Sequence, residues 1–314
     1  MINMVCIEHI STYIPENAVS IDELQEYLNL KAYQVKLFKK IHGLKEIRMD
    51  NKKNLLNLLF PSIKEMLEAT NTLEEEIKYV IYCHTIQNIY PYPRNIFQDI
   101  KKIFPFKNAI CFSVTQQNCA SSLVALDIAE SLLTNTKNNR EKVLILTGEK
   151  VFTPSAQLIN NTTIMGEASA AVLLSKDSIN NKVLNTKTQI LGKYADGLSI
   201  SEENQKDFEK IYVPTLAKLI EDTVAEADLQ IEDISLILPH NVNYSSWKSV
   251  SKALNYPISK IYLENVSRLG HCFCSDPFIN YESAVRDNML SKDDYYLMVS
   301  VGLGATFAVT LIQH

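Results

Sequence analysis

The sequence predicts an α/β protein built as a duplication, and three observations support this prediction. Short runs of β-branched and aliphatic residues alternate with longer segments of helical periodicity, which is typical of βαβ units and a largely parallel sheet. The same order of elements begins again after about residue 175. With 314 residues, 46% hydrophobic content and no Pro-, Ser- or Gln-rich linker, the chain can bury a large core. We expect one compact body of two packed halves, residues 1–178 and 179–314.

The first half alternates predicted strands with predicted helices. Each strand is a short apolar run, and each helix repeats its apolar residues at intervals of three and four. The strands are expected at Val5–Ser11, Tyr79–Cys83, Ala109–Val114, Val143–Thr147 and Ala170–Leu174, and the helices at Ile21–Leu30, Leu55–Ala69, Ile96–Ile103 and Ala120–Leu133.

The second half repeats this alternation of strands and helices. Its strands are expected at Val183–Leu191, Ile234–Leu238, Tyr295–Val301 and Ala305–Ile312, and its helices at Leu216–Ala227, Ser246–Leu254 and Phe278–Met289. Buried strands draw on few residue types, so one similar pair of segments would mean little. Three pairs occur in the same order, which favours a duplication: 79–84 with 236–240, 142–148 with 296–302, and 168–174 with 304–311.

Composition narrows the class of protein. The net charge of −5 gives no general attraction to a polyanion, so we expect no nucleic-acid partner. No stretch reaches the roughly 18 apolar residues of a membrane span, and no basic flank precedes an apolar run at the amino terminus. The six cysteines mostly lie in apolar runs, as reduced thiols do. A cytoplasmic protein without a membrane partner is expected.

Cys119 is the first candidate for chemistry. It lies between a predicted strand ending at Val114 and a strongly amphipathic helix. At the amino end of a helix, free N–H groups and the macrodipole favour a thiolate and can donate to an oxyanion. A buried small hydrophobe is the commoner meaning of a lone cysteine, and that alternative stays open.

Two histidines could accompany this thiol. His240 follows directly on a predicted strand, where active sites of α/β proteins gather, and Asn243 comes shortly after it. A neutral imidazole there could polarise a carbonyl group or take the thiol proton. His271 follows Gly270 and precedes a helix that Pro277 helps to start. His240 could instead be a loop residue bonded to the backbone.

The segment that contains His271, Cys272 and Cys274 could also form a metal or thiol-redox site. These residues are too close in sequence to surround a tetrahedral ion easily, and no second paired spacing occurs elsewhere. We therefore predict no metal ligand and attribute the two thiols to packing.

A late Gly-x-Gly turn is the last candidate. Gly302 and Gly304 join two predicted strands, and a missing side chain lets a backbone approach a ligand closely. The turn lacks the strand–loop–helix context of a phosphate loop. The amide of Leu303 could be a second oxyanion donor beside that of Cys119.

Together these motifs resemble the type III ketoacyl-acyl carrier protein synthases of the thiolase superfamily, almost from end to end. Three further segments carry the resemblance: Tyr13-Ile-Pro-Glu-Asn17, His42-Gly43-Leu-Lys-Glu46 and Gly166-Glu-Ala-Ser-Ala-Ala171. The resemblance implies a thiolase-like fold, with two duplicated α/β halves packed as αβαβα layers, and a homodimer. Tyr90, with Pro91, resembles the point where a residue closes the acyl pocket of the partner subunit.

The resemblance also implies an activity. Cys119 would accept an acyl group from a CoA or carrier-protein thioester, with His240 as its partner and no tightly bound cofactor. The third catalytic position is usually Asn and is His271 here. Elongating synthases use a Cys–His–His set for decarboxylative condensation, whereas some type III relatives with altered third residues pass the acyl group to oxygen or nitrogen. Both second steps stay open, in fatty-acid, polyketide-type or specialised metabolite biosynthesis.

Two points concern partners. Relatives that use CoA directly usually stack its adenine on a Trp where this chain has Leu37, so Lys36, Lys40 and Arg48 could instead contact a carrier protein or a pantetheine phosphate. A solvated helix face is an equally good reading of these cations. A non-catalytic partner subunit of a heteromeric synthase is the alternative function, although such partners usually lack the cysteine.

Overall fold

The computed structural model describes residues 4–87, 89–90, 93–104, 106–136, 138–176 and 178–314, so Pro91 lies outside the described residues. The strands are β1 Cys6–Tyr13, β2 Ala18–Ser20, β3 Glu46–Arg48, β4 Ile77–Cys83, β5 Ile110–Val114, β6 Lys142–Gly148, β7 Leu158–Ile159, β8 Thr163–Ile164, β9 Ser169–Ser175, β10 Lys182–Ile190, β11 Ile234–Pro239, β12 Tyr295–Gly302 and β13 Thr306–Gln313. The helices are α1 Leu24–Tyr27, α2 Ala32–Lys36, α3 Leu55–Thr70, α4 Ile96–Ile103, α5 Ser121–Thr134, α6 Pro154–Gln157, α7 Glu202–Ala225, α8 Tyr244–Ala253, α9 Val266–Leu269 and α10 Asp276–Arg286. Among these helices, none is both long and apolar enough to cross a membrane.

Nine strands form the main sheet in the order β11-β12-β13-β10-β1-β9-β6-β4-β5. They fall into two groups, because β1 and β10 meet only where Cys6 pairs with Lys182. The prediction of a largely parallel sheet is wrong, because most neighbouring strands of the main sheet are antiparallel. Only the β4–β5, β4–β6 and β11–β12 pairs are parallel. The others are antiparallel, and the β12–β13 pair must be so because only residues 303–305 connect its strands.

Helices cover the two groups of strands in layers. α5 and α10 contact both groups and lie between them, α3 packs on the outer face of the first group, and α7 packs on the outer face of the second. The largest apolar cluster combines both groups with α5 and α10. The predicted α/β class and the αβαβα layering are therefore observed. The division of the chain at residue 178 stays a prediction.

Most predicted elements agree with the structure to within a few residues, and two differ. The helix expected at Ile21–Leu30 is only Leu24–Tyr27, because Asn29 adopts a left-handed φ of 51° that ends it. The helix expected from Leu216 begins at Glu202. The first turns of that helix are polar and it contains Pro214. Hydrophobic periodicity therefore does not reveal where it begins, since proline normally interrupts a helix.

Several small elements were not predicted, although they shape the site. The β2–β3 pair, α2 and the β7–β8 hairpin share an apolar cluster that includes Phe38, Leu44 and Ile164. Within this cluster the chain turns at Gly43, whose φ of 78° favours glycine. The turn places His42 opposite the first residue of α8, whose amide donates to the His42 carbonyl at 2.9 Å.

Candidate active site

Cys119 lies in a short 3₁₀ turn, Asn118–Ala120, between β5 and the amino end of α5. Asn118 has a left-handed φ of 50°, which turns the chain sharply from the strand into the helix. The Cys119 carbonyl accepts a hydrogen bond from Ser300 Oγ at 2.8 Å, and only 5% of the residue is exposed. The sulfur is therefore buried where the helix dipole stabilises negative charge.

Gly302 brings the end of β12 against this turn. A Cβ at position 302 would lie 2.0 Å from the carbonyl oxygen of Gln117, so any larger residue would push the two segments apart. The contact places Leu303 and Gly304 on the wall of the cavity that also exposes Cys119, and Asn118 Nδ2 donates to the Leu303 carbonyl. The roles of the Cys119 and Leu303 amides as oxyanion donors stay predictions.

His271 is the imidazole in direct contact with the nucleophile candidate. Its Nε2 lies 3.2 Å from Cys119 Sγ. The backbone around it is held by a strand-like bridge to Met165 and by donation from the His271 amide to the Ile164 carbonyl at 3.1 Å. Gly270 permits this close pairing with a φ of 70°.

Asp276 completes a row of three groups and was missed by the sequence argument. Its Oδ2 lies 2.5 Å from His271 Nδ1. Its oxygens also accept from the amide of Asn241 at 2.6 Å, from Asn241 Nδ2 at 3.1 Å and from the amide of Cys272 at 2.8 Å. The side chain is wholly buried at the first position of α10. An acid directly before Pro277, five residues after a candidate histidine, was the available signal.

The charges on this row favour a protonated His271. Burial lowers its pKa, but the negative charges available on Cys119 and Asp276, together with hydrogen bonds to both, raise the pKa to about 10. A proton that leaves the Cys119 thiol would therefore reside on the imidazole. Cys119, His271 and Asp276 have the connectivity of a nucleophile, its base and the group that orients the base.

His240 lies beside this row in the opposite protonation state. Its ring centroid is 5.8 Å from that of His271, and its Nε2 is 3.3 Å from the hydroxyl of Tyr212. Burial, and then the charge of His271, lower the pKa of His240 to about 3. His240 is neutral at physiological pH, so it can donate a hydrogen bond to a carbonyl oxygen without carrying charge.

One cavity of about 440 Å³ brings these groups together, since Cys119, His240 and His271 all line it. One side of the wall is apolar, and the rim is polar and uncharged except for one acid. The apolar wall includes Ile159, Leu198, Phe208, Tyr212 and Val301, and the rim includes Asn160, Asn161, Thr162, Ser245, Ser249 and the acid Glu209.

Asn243 organises the rim by capping α8. Its side chain accepts from the amide of Ser246 at 2.7 Å and from Ser245 Oγ at 2.8 Å, and it donates to the Thr162 carbonyl at 3.1 Å. His42 joins the network through Ser245 Oγ at 2.8 Å. Burial lowers the pKa of His42, so its ring adds no charge to this polar edge.

The predicted cationic contacts lie outside the cavity wall. Arg48 donates to the carbonyl of Glu16 at 2.7 Å and to Glu46 at 2.9 Å, which commits its guanidinium to the fold. Lys36 and Lys40 are exposed, and neither lines the cavity. Contact of these residues with a carrier or CoA phosphate stays a prediction, and it would have to occur outside the cavity.

Tyr90 lies apart from the Cys119 cavity of its own chain. Its hydroxyl donates to Asp99, and it lines a separate cavity with Arg94, Lys150 and Glu167. Whether it closes the pocket of a partner subunit stays a prediction.

The two cysteines after His271 point to different places. Cys272 Sγ is directed at the carbonyl of Leu269, and Cys274 Sγ at that of Asn118. In the described ranges no three His, Cys, Asp or Glu residues are grouped as metal ligands would be, and all six cysteines are free.

Comparisons with known proteins agree with this architecture. Residues 224–314 match the family model of the 3-oxoacyl-[acyl-carrier-protein] synthase III C terminal. The β-ketoacyl-[acyl-carrier-protein] synthase III of Aquifex aeolicus (strain VF5) is 22% identical over 310 residues, which are 96% of this chain and 97% of that protein.

Two solved structures show the same fold along nearly the whole chain. ChlB3, named as an acyltransferase, superimposes with a TM-score of 0.87 at 16% identity, covering 99% of this chain and 97% of its own. The 3-oxoacyl-[acyl-carrier-protein] synthase III from Aquifex aeolicus gives 0.83 at 20% identity, covering 99% and 100%. The predicted thiolase-like fold is confirmed.

Proposed function

We propose that this chain is an acyltransferase of the β-ketoacyl-[acyl-carrier-protein] synthase III type, in which Cys119 takes an acyl group from a thioester and transfers it to a hydroxyl or amino acceptor. The observation that carries the proposal is the hydrogen-bonded row Cys119–His271–Asp276. It supplies a nucleophile and a base held in one orientation.

The first step is acyl transfer to the enzyme. The Cys119 thiolate attacks the carbonyl carbon of the donor thioester, the new C–S bond forms, and the bond to the donor sulfur breaks. The departing thiolate takes the proton from His271 Nε2 and leaves as a free thiol. The amides of Cys119 and Leu303 would donate to the oxyanion of the tetrahedral intermediate.

The second step uses the change in charge that the first step causes. Once Cys119 is a thioester, its negative charge no longer raises the pKa of His271, while Asp276 still orients the ring. The neutral imidazole then takes the proton of the acceptor O–H or N–H as that atom attacks the acyl carbon, and Cys119 leaves as a thiolate. Donor thioester and acceptor thus become an ester or amide and a thiol.

Asp276 favours transfer over carbon–carbon condensation. Decarboxylative condensation generates its carbon nucleophile by loss of carbon dioxide, so no base has to remove a proton from the attacking atom. Attack by a hydroxyl or amine does need a base. A histidine bonded at one nitrogen to the sulfur and at the other to a buried carboxylate meets that need.

Condensation is the second candidate. The curated relatives bear the name of ketoacyl synthases, and the neutral His240 beside His271 could donate a hydrogen bond to an enolate oxygen. In either case the chemistry needs only a CoA or carrier-protein thioester as donor. We expect a homodimer, as the resemblance implies.

Intact mass spectrometry with a panel of acyl-CoA and acyl-carrier donors tests the first step. We expect one added acyl group that hydroxylamine removes and that Cys119→Ala lacks. An adduct retained in Cys119→Ala, or no adduct with any donor, would defeat the proposal.

The second step is tested on the isolated acyl-enzyme. It is mixed either with alcohols and amines or with a malonyl thioester, and both product mass and carbon dioxide are measured. Ester or amide formation supports transfer. Carbon dioxide release with a β-ketoacyl product, and no transfer to any alcohol or amine, would instead establish condensation.

A further inference from the structure

Glu149 is a buried acid that the proposed chemistry does not use. It follows β6, its side chain is inaccessible to solvent, and among the described residues no Lys or Arg forms an ion pair with it. Burial raises its pKa to about 7. A buried carboxyl group without an ion-pair partner is costly to the fold, and such groups are frequent at functional sites.

The carboxylate of Glu149 holds the loop after β4. Its Oε1 accepts from the amide of Thr85 and its Oε2 from the amide of Ile86, each at 2.7 Å. β4 and β6 are adjacent parallel strands, and Cys83 pairs with Thr147, so both chains leave the sheet at the same edge. One side chain therefore satisfies two backbone donors where the loop turns away from the sheet.

Thr85 carries this constraint to the reacting sulfur. Its hydroxyl donates to Cys119 Sγ at 3.7 Å. His271, which comes from the second half of the chain, places its Nε2 3.2 Å from the same sulfur. The same hydroxyl lies 3.8 Å from Cys274 Sγ, whose own hydrogen bond goes to the Asn118 carbonyl. Of these two sulfurs, a Cys119 thiolate is the stronger acceptor for the hydroxyl hydrogen, because burial raises the pKa of the Cys274 thiol and keeps it neutral. The Glu149 carboxyl group also bonds the Thr85 side chain, and it is the other acceptor within reach of this hydroxyl.

We propose that Thr85 is a second hydrogen-bond donor to the Cys119 sulfur and that Glu149 is the positioning residue that holds Thr85 there. The inference rests on the proposed function only in taking Cys119 as the nucleophile. A hydrogen bond to a charged acceptor favours the charged form, so Thr85 increases the fraction of thiolate at a given pH.

The test is the pH dependence of Cys119 alkylation by iodoacetamide in the full-length chain, followed by intact mass, with Cys119→Ala as the background. Thr85→Val removes the hydroxyl and keeps the shape, and we expect the midpoint of the profile to rise by about 0.5–1 pH unit. Thr85→Ser keeps the hydroxyl and should reproduce the native profile. A Thr85→Val profile that superimposes on the native one would overturn the inference.

Variants of Glu149 separate position from charge. Glu149→Asp keeps the charge and shortens the reach, and Glu149→Gln removes the charge. If the charge alone mattered, Glu149→Gln would lower the midpoint, because a negative charge near the thiolate disappears. Positioning predicts a rise for both variants and no further rise when Glu149→Asp is added to Thr85→Val. A fall in Glu149→Gln, or an additive rise in the double variant, would contradict the role of Glu149.

Two features keep the outcomes distinct. Iodoacetamide needs no acyl donor, so a chain that accepts no acyl group would defeat the proposed function while the alkylation profiles still decide this inference. Thermal unfolding is measured on every variant. If Thr85→Val does not fold, the comparison of Thr85→Ala with Thr85→Ser poses the same question, and equal profiles for that pair would count against the hydroxyl.

Discussion

The two buried histidines of the second half differ in their affinity for a proton. His240 at the end of β11 and His271 before α10 are both 2% exposed, and their rings are 5.8 Å apart. Yet the pKa of His240 falls to about 3 and that of His271 rises to about 10. The cause is the set of neighbours: the Tyr212 phenol, the Trp247 ring and the charged His271 lie around the first ring, whereas the second bridges a thiol and a buried carboxylate. Equal burial thus yields one neutral ring and one protonated ring.

Of the changes around this pair of histidines, His271→Ala should reduce acyl transfer the most. Without the ring no group holds the proton of the thiol or of the acceptor, so we expect acyl transfer to fall by about 10³-fold. Single-turnover acylation and deacylation, followed by mass, measure the change. His314→Ala, which alters a histidine at the far end of the chain, is the control. A loss of less than tenfold would mean that the two histidines are not distinct.

Asp276→Asn should reduce transfer by about 10²-fold and also move its pH dependence. The carboxylate helps to raise the pKa of His271, so its removal lets the ring become neutral at lower pH. The half-maximal pH for decay of acyl-Cys119 with a fixed acceptor should therefore move down while the plateau falls. A midpoint that stays in place or moves up would show that Asp276 does not control the base.

The stability of the fold should respond to the two rings in opposite pH ranges. The folded pKa of His240 is depressed, so its contribution is present above the unfolded value near 6.5 and is lost as pH falls toward 3. The contribution of His271 is present below 6.5 and is lost as pH rises through about 10. Between pH 6.5 and 5, His240 alone should cost about 1.5 kcal/mol of the free energy of unfolding.

Urea unfolding at pH 6.5 and 5.0 measures this difference. His240→Gln should lose about 1.5 kcal/mol less than the native chain over that interval, because the variant has no ring for the unfolded state to protonate. Equal losses in the two proteins would show that His240 is not held neutral by burial.

Tyr212→Phe should have the smallest effect. It removes one hydrogen bond to the neutral His240, and bonds between uncharged groups contribute about 0.5–1 kcal/mol, so we expect transfer to slow by about 2–5-fold. Tyr256→Phe, whose hydroxyl bonds to the Ile234 carbonyl away from the cavity, is the matched control. A change as large as that of Asp276→Asn would mean that His240 also moves a proton.

Prediction from sequence was strongest where structure is local. The alternation of apolar runs and amphipathic segments placed β11, α8 and α5 to within a few residues, because periodicity reflects which faces are buried. It failed at the first turns of α7, where polar residues precede Pro214 and where Phe208 and Tyr212 pack against Phe307 of the sheet. That segment supplies Phe208 and Tyr212 to the cavity wall, so the wall could not be predicted.

The sequence by itself determined the α/β class, a cysteine at the start of a helix and two histidines at the edge of the second half, because these features depend on residues close together in the chain. Only the tertiary structure decided that His271 rather than His240 contacts the sulfur, that Asp276 stands behind it, and that Glu149 holds the loop of Thr85. Cys119 and His271 are separated by 152 positions, and Thr85 and Glu149 by 64. Charge and proton affinity depend on such neighbours in space, and no local pattern encodes them.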